Sequence, residues 1–150
     1  MTELNKCQPV VQACDEILKQ TACDFVGIAL QSDSGPEVRW HYAAGNRNDK
    51  YKRITLRYGK GIAGRVIATG SPMMIEDFPN DIQGKALEYP ILLAESLVTS
   101  FGVPLNINGK PKGVLLIGRR TKQPFTDLEM QQTFENARDL EEILNRLMNL

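Results

Sequence analysis

The residues that could carry chemistry in this chain are few. Its 150 residues include three cysteines, Cys7, Cys14 and Cys23, and one histidine, His41. The C-x6-C-x8-C spacing fits neither zinc-finger nor ferredoxin patterns, and a fourth ligand is missing. Cys7 and Cys14 lie seven apart, on one face if their segment is helical, so they read as small buried apolar residues before they read as a metal or Fe–S site. His41 reads as an ordinary polar residue of a strand face, with haem ligation or acid–base work the lesser alternative. Asp139, Glu141 and Glu142 read as a solvated helix face open to a partner protein. No catalytic set and no metal site is therefore expected. Trp40, the only tryptophan, joins an apolar body to an indole N–H donor. It is either a core residue or the wall of a pocket.

Composition bounds the rest. Lys and Arg number 18, as do Asp and Glu, so the formal net charge is +0. That balance lacks the clustered basic excess of a nucleic-acid footprint. The densest basic stretch, Lys50, Lys52, Arg53, Arg57 and Lys60, is interleaved with Tyr51, Ile54, Leu56 and Tyr58, and reads as a solvated strand face. The apolar runs, such as Pro90-Ile91-Leu92-Leu93-Ala94, are far short of a membrane span. Met1-Thr2-Glu3-Leu4-Asn5 has no basic region ahead of an apolar one, so no secretory leader is expected. An odd cysteine count then fits reduced thiols and a cytoplasmic location. The length and the absence of repeats or linkers predict one domain over 1–150.

The elements that position these residues follow from periodicity. Val10, Val11, Cys14, Ile17 and Leu18 recur at helical spacing, with Pro9 in the first turn, and predict a helix to about Lys19. Residues 24–31 read as a central strand apolar on both faces. Residues 37–44 alternate, with Val38, Trp40 and Tyr42 predicted on one face, and pair with that strand through the turn at Gly35-Pro36. Residues 53–58 alternate again. A short helix is predicted over 62–69, stopped by Gly70, then a short strand over 73–76 and a lid-like loop over 78–88. A second short helix begins at Pro90. Strands over 97–106 and 112–119 flank Asn108-Gly109, a strong hairpin signal. Thr126-Asp127-Leu128-Glu129 has the capping-box pattern that opens a long final helix to about Met148. Met130, Ala137, Leu140, Leu144 and Leu147, with Thr133 between, approximate an a/d repeat; core packing explains it, and a helical dimer contact is the second reading. The order predicts an α+β domain with an antiparallel sheet, the terminal helices on one face and the short helices enclosing a pocket on the other.

Several motifs then resemble one family. Tyr58-Gly59-Lys60-Gly61-Ile62-Ala63-Gly64-Arg65-Val66 resembles the glycine-rich element of GAF domains. Ser71-Pro72 with Met73-Met74-Ile75-Glu76-Asp77 resembles the strand after it. Leu97-Val98-Thr99-Ser100-Phe101-Gly102-Val103-Pro104-Leu105, the hairpin at Gly109 and Phe125-Thr126-Asp127-Leu128-Glu129 resemble the remaining elements. They occur in family order over nearly the whole chain. Within that family, a free-standing domain with Trp40 on its second strand, Gly-Ile-Ala at the first short helix and Tyr-Pro-Ile at the second resembles the Nre-type nitrate receptors. The resemblance implies a cytoplasmic nitrate sensor acting on a partner sensor histidine kinase of a two-component system that controls nitrate respiration genes. It implies a nitrate site at Trp40, Ile62, Ala63, Tyr89, Pro90 and Ile91, with no other cofactor.

Elementary chemistry agrees with such a site. Nitrate is a flat, weakly hydrated monoanion that needs N–H donors more than a full counter-charge. Helix N-termini supply unpaired N–H groups and a positive dipole end. If the two short helices face one pocket, the main-chain N–H groups of Ile62, Ala63 and Ile91, and of Leu92, converge on the anion. Each hydrogen bond to a charged group contributes about 1.5–3 kcal/mol net, so four reach micromolar binding, about −8 kcal/mol, after association costs. Within the GAF family, a free methionine sulfoxide reductase or a chromophore-bearing domain would need a cysteine in the pocket segments, which hold none. The chain is therefore expected not to be an enzyme. A GAF domain for another small ligand, a cyclic nucleotide included, and a plain interaction module are the remaining alternatives.

Overall fold

The computed structural model describes residues 7–148; the reading of Met1 to Asn5 lies outside the described residues. Helix α1 (Gln8–Gln20) leads into β1 (Phe25–Gln31) and β2 (Glu37–Ala44). A 3-10 turn (Lys50–Arg53) and β3 (Thr55–Arg57) precede α2 (Gly61–Thr69) and β4 (Met73–Ile75). A second 3-10 turn (Ala86–Glu88), α3 (Pro90–Ala94), the hairpin strands β5 (Thr99–Ile107) and β6 (Lys110–Arg119), and α4 (Asp127–Met148) complete the chain. All neighbours in the sheet are antiparallel, in the order β3-β2-β1-β6-β5-β4. The α+β architecture is the one expected.

The sheet separates two apolar layers. Val26, Ile28 and Leu30 of β1 and Val103, Leu105 and Ile107 of β5 pack with Val10, Cys14 and Ile17 of α1 and Ala137, Leu140 and Leu144 of α4. Phe25 and Ala29 of β1 and Val114 and Leu116 of β6 pack instead with Ile62, Val66 and Ile67 of α2 and Ile91 and Leu92 of α3. Strands β1 and β6 therefore read as continuous apolar runs because both their faces are covered. The stripe on α4 that resembles an a/d seam is used inside the molecule. Thr133, its polar member, is fully buried and donates its hydroxyl to the Glu129 carbonyl at 2.8 Å.

Local chemistry sets the ends of these elements. Asn108 and Gly109 both take positive φ, 54° and 80°, as a two-residue hairpin turn demands. At the start of α4 the Thr126 N–H donates to Glu129 Oε1 at 2.8 Å and the Glu129 N–H to Thr126 Oγ1 at 3.1 Å, a reciprocal capping box. Glu129 also accepts from Arg119 at 2.8 Å. Burial pushes the Glu129 carboxyl up, but the Thr126 N–H and the Arg119 guanidinium outweigh it and hold the group below its ordinary value.

Two expectations need correction. Tyr42 does not share a face with Val38 and Trp40. Opposite Ile28 and Ala29 stand Tyr42 and Trp40, so His41 is an extra residue in a β-bulge. The inserted residue turns Tyr42 and Ala44 to the α1/α4 layer and leaves Val38 and Trp40 in the α2/α3 layer. The alternating segment at 53–58 shortens to Thr55–Arg57, because residues 50–53 close a 3-10 turn. Tyr58 then lies outside the strand and is 50% exposed, whereas Leu56 is buried.

Two outcomes follow. Leu144→Ala, at a fully buried site on α4, should lower unfolding free energy by about 2–5 kcal/mol, whereas Leu128→Ala on the exposed side should stay within about 0.5 kcal/mol; urea titration of both measures the contrast. Because the Glu129 carboxyl sits below its unfolded value, its contribution to stability is present above that value and is lost as pH falls through the folded one. Acid titration of folding should show a shallower loss over that window in Glu129→Gln than in the wild type.

Candidate functional site

The α2/α3 layer holds the residues singled out as ligand contacts. Trp40, Ile62, Ala63, Tyr89 and Ile91 belong to one buried cluster, and none is more than 3% exposed. Pro90 follows Tyr89 as the first residue of α3 and is half-buried.

Each is placed by its neighbours. The bulge at His41 assigns Trp40 to this layer. Gly27 on the adjacent strand gives its ring room: a β-carbon there would lie 2.8 Å from the Phe25 ring and 3.0 Å from Trp40 Cζ3. The indole Nε1 is buried and has no acceptor among the described residues. An unpaired buried donor costs about 1–3 kcal/mol, so this group is one that a ligand acceptor would satisfy.

Helix α2 begins at Gly61, whose φ of 64° lies in the left-handed region. Lys60 stands at the N-cap without a side-chain cap. The Gly64 N–H closes the first turn onto the Lys60 carbonyl at 3.0 Å, which leaves the N–H groups of Ile62 and Ala63 with no acceptor among the described residues. A β-carbon on Gly61 would sit 3.3 Å from the Glu88 carbonyl oxygen. The start of α2 thus abuts the turn that leads into α3.

Helix α3 opens on Tyr89 as N-cap, again without a side-chain cap, and on Pro90 as its first residue. Proline fits there because that N–H has no helical partner to lose. The Leu92 and Leu93 N–H groups return to the Tyr89 carbonyl at 3.1 and 3.3 Å. Leu92 is therefore not a free donor, which removes it from the expected set. The Ile91 N–H has no acceptor among the described residues. The Tyr89 side chain is buried and donates its hydroxyl to the Gln83 carbonyl at 3.2 Å. Its ring meets Phe78 edge-on at 6.0 Å and lies 5.6 Å from the Arg65 guanidinium. Tyr89 thereby pins the 78–88 loop from below.

The assembled groups are donors: one indole N–H and main-chain N–H groups from two helix starts, in an apolar surround. Such a set suits a small acceptor-rich ligand and offers no nucleophile. Cys7, Cys14 and Cys23 all pack in the opposite layer, against α1 and the far face of the sheet. Burial, then Asp15, pushes the Cys14 thiol up to about 12. Burial also raises Cys23, which lies 3.0 Å from Thr21 Oγ1. Burial and then Arg39 hold the His41 imidazole below its ordinary value. Among the described residues no group of His, Cys, Asp or Glu is disposed to hold a metal ion, and no helix is long and apolar enough to cross a membrane.

Other residues of the layer carried weaker sequence signals. Tyr51, Leu56, Ile67 and Phe78 pack in the same cluster. Glu95, directly after α3, is fully buried; a lone acid after an apolar run gives no sequence sign of that.

The fold is α+β, and its α2/α3 layer gathers buried N–H donors that have no acceptor among the described residues. The GAF domain model matches residues 10–148, and the chain belongs to the GAF domain family. Among solved structures it is similar to a Staphylococcus aureus NreA protein mutated in its nitrate binding site, with 35% identity, TM-score 0.75, and coverage of 81% of this chain and 91% of that one. The GAF domain of a phosphoenolpyruvate-protein phosphotransferase from Coxiella burnetii shares the fold at TM-score 0.81 and 21% identity, covering 97% of this chain and 84% of that one. So does free methionine-R-sulfoxide reductase from Neisseria meningitidis, at TM-score 0.74 and 18% identity, covering 92% and 78% respectively. No curated protein matches the chain.

The thiol placement gives a direct expectation. In the native protein Cys14 and Cys23 should resist an aromatic disulfide reagent at pH 8 and react at the rate of unfolding. Rapid labelling of either in folded protein would contradict their burial.

Proposed function

We propose that this chain is a single GAF domain over 1–150 that acts as a cytoplasmic nitrate receptor without catalytic activity. One observation carries the reading. The unpaired indole N–H of Trp40 and the unpaired N–H groups of Ile62, Ala63 and Ile91 belong to one buried layer, in a chain 35% identical to a protein with a nitrate binding site. Trp40 and the main chain of Ile62, Ala63 and Ile91 donate to the anion, Pro90 sets the start of α3, and Tyr89 closes the loop over it. Because the donors are neutral, the site favours a weakly hydrated monoanion over sulfate, whose desolvation it could not offset.

The bound anion draws the starts of α2 and α3 together and changes the surface offered to a sensor histidine kinase of a two-component system. Nitrate shifts that docking only by the ratio of its affinities for the docked and free states. The outer faces of α1 and α4, which include the exposed Asp139 and Glu142, are the surfaces assigned to protein contact, with the kinase or a second copy of the chain.

Calorimetric titration of nitrate, with chloride and sulfate as controls, tests the site. Binding should be micromolar and nitrate-selective. Trp40→Phe, which keeps an aromatic ring and removes the N–H, should weaken it about tenfold to a hundredfold. Equal affinity in the variant would exclude the indole as a donor, and absence of heat with wild type would exclude nitrate.

A further inference from the structure

We propose that Glu95 and Arg120 are positioning residues of the pocket layer: they fix α3 and, through Arg119, tie its position to α1 and α4 on the far side of the sheet. The proposal deepens the receptor reading and rests on it for the identity of the ligand that acts on α3.

Helix α3 has five residues, too few for a helix to hold itself in water. Its C-terminal end is fixed from outside. Glu95 is fully buried, and its Oε1 accepts from the Arg47 N–H at 2.8 Å and from Arg120 Nη2 at 2.7 Å. The same guanidinium donates from Nε to the Glu95 carbonyl at 2.8 Å. One planar fork thus grips both the side chain and the main chain at the end of α3, a geometry lysine cannot reproduce. Arg47 also bonds Ser96 through its own guanidinium. Inside α3 the Glu95 N–H donates to the Ile91 carbonyl at 3.0 Å, so displacement at Ile91 is transmitted to Glu95 within one turn.

Arg120 carries the position onward. It also donates to the Gly45 carbonyl at 3.0 Å, and its main-chain N–H to Asp24 Oδ2 at 2.8 Å. Arg119, the residue before it, ends β6, and successive strand residues leave on opposite faces. The Arg119 guanidinium is 3% exposed and holds the far side. It donates to the Thr21 carbonyl at 3.1 Å and the Ala22 carbonyl at 3.3 Å after α1. It also reaches the Gln123 and Pro124 carbonyls at 3.2 and 3.1 Å, and Glu129 Oε2 at 2.8 Å, at the start of α4. Two consecutive arginines, joined by one peptide bond, therefore link the end of α3 to both terminal helices through their separate hydrogen-bond sets. The second oxygen of Glu95 is buried with no donor among the described residues. A carboxylate left half-satisfied is costly, and a second arrangement of the clamp that supplied a donor would recover that cost.

Hydrogen exchange on the full chain without added anion tests the link, in Glu95→Gln, Arg120→Gln and Arg120→Lys. Exchange should quicken about tenfold or more at Leu92, Leu93 and Leu97, and also across the sheet at 21–24 and 123–129, while β1 and β5 keep wild-type rates. Arg120→Lys, the milder variant, should fall between. Faster exchange confined to α3 would overturn the link, and so would uniform acceleration through β1 and β5, which marks plain destabilisation. Repeating the wild-type map with nitrate separates the two readings. An unchanged map would count against nitrate as the ligand, while the ligand-free variants still decide the clamp.

Discussion

The structure depends on a sheet whose central strands have no polar face. β1 and β6 are buried from both sides, so every group on the inner surface of either layer must find a partner inside the protein or in a ligand. On the α1/α4 side apolar packing and the Arg119 guanidinium meet most of that demand, although the Tyr42 hydroxyl is buried there without a partner among the described residues. On the α2/α3 side they do not. The same burial that stabilises the sheet leaves the Trp40 indole and the starts of two helices with donors that have no acceptor among the described residues.

On the receptor reading proposed above, an anion would be held by neutral donors rather than by a cation. Arginine or lysine in the pocket would bind sulfate, phosphate and carboxylates at least as well as nitrate, because a full charge rewards charge density. Neutral N–H groups aimed from helix starts reward fit and low desolvation cost. The Arg65 guanidinium lies 5.6 Å from the centroid of the Tyr89 ring.

Much of this was legible in the sequence, for reasons that differ by element. The Asn108-Gly109 turn, the Thr126/Glu129 cap and the start of α2 at Gly61 are local devices whose chemistry needs no knowledge of the rest of the chain. The sharing of one layer by Trp40, Ile62, Ala63, Tyr89 and Ile91 was reached through motif order, since nothing in their spacing brings β2 beside α2 and α3. What escaped were effects of register and of distance. A bulge at His41 leaves the alternation of β2 looking unbroken, yet it moves Tyr42 to the other layer. Leu92 looked like a donor because its Tyr89 partner appears only once the turn closes. The burial of Glu95 had no local sign, because Arg120, which pairs with it, stands 25 residues away.

That last pair also raises the question of why the chain carries an ion pair where apolar residues could pack. Replacing a buried pair by hydrophobic residues is often neutral or stabilising, so stability alone is a weak reason for Glu95 and Arg120. A hydrophobic plug, however, tolerates sliding, whereas a forked guanidinium has few acceptable geometries. An element as short as α3 can report on a ligand only if its far end is held in one of a small number of positions. Discrete positions, each with its own differential affinity for the ligand, are what linkage requires before binding on one face of a sheet can alter the other. The clamp supplies them at the point where the strand end gives the pocket layer and the terminal helices adjacent residues of the same chain.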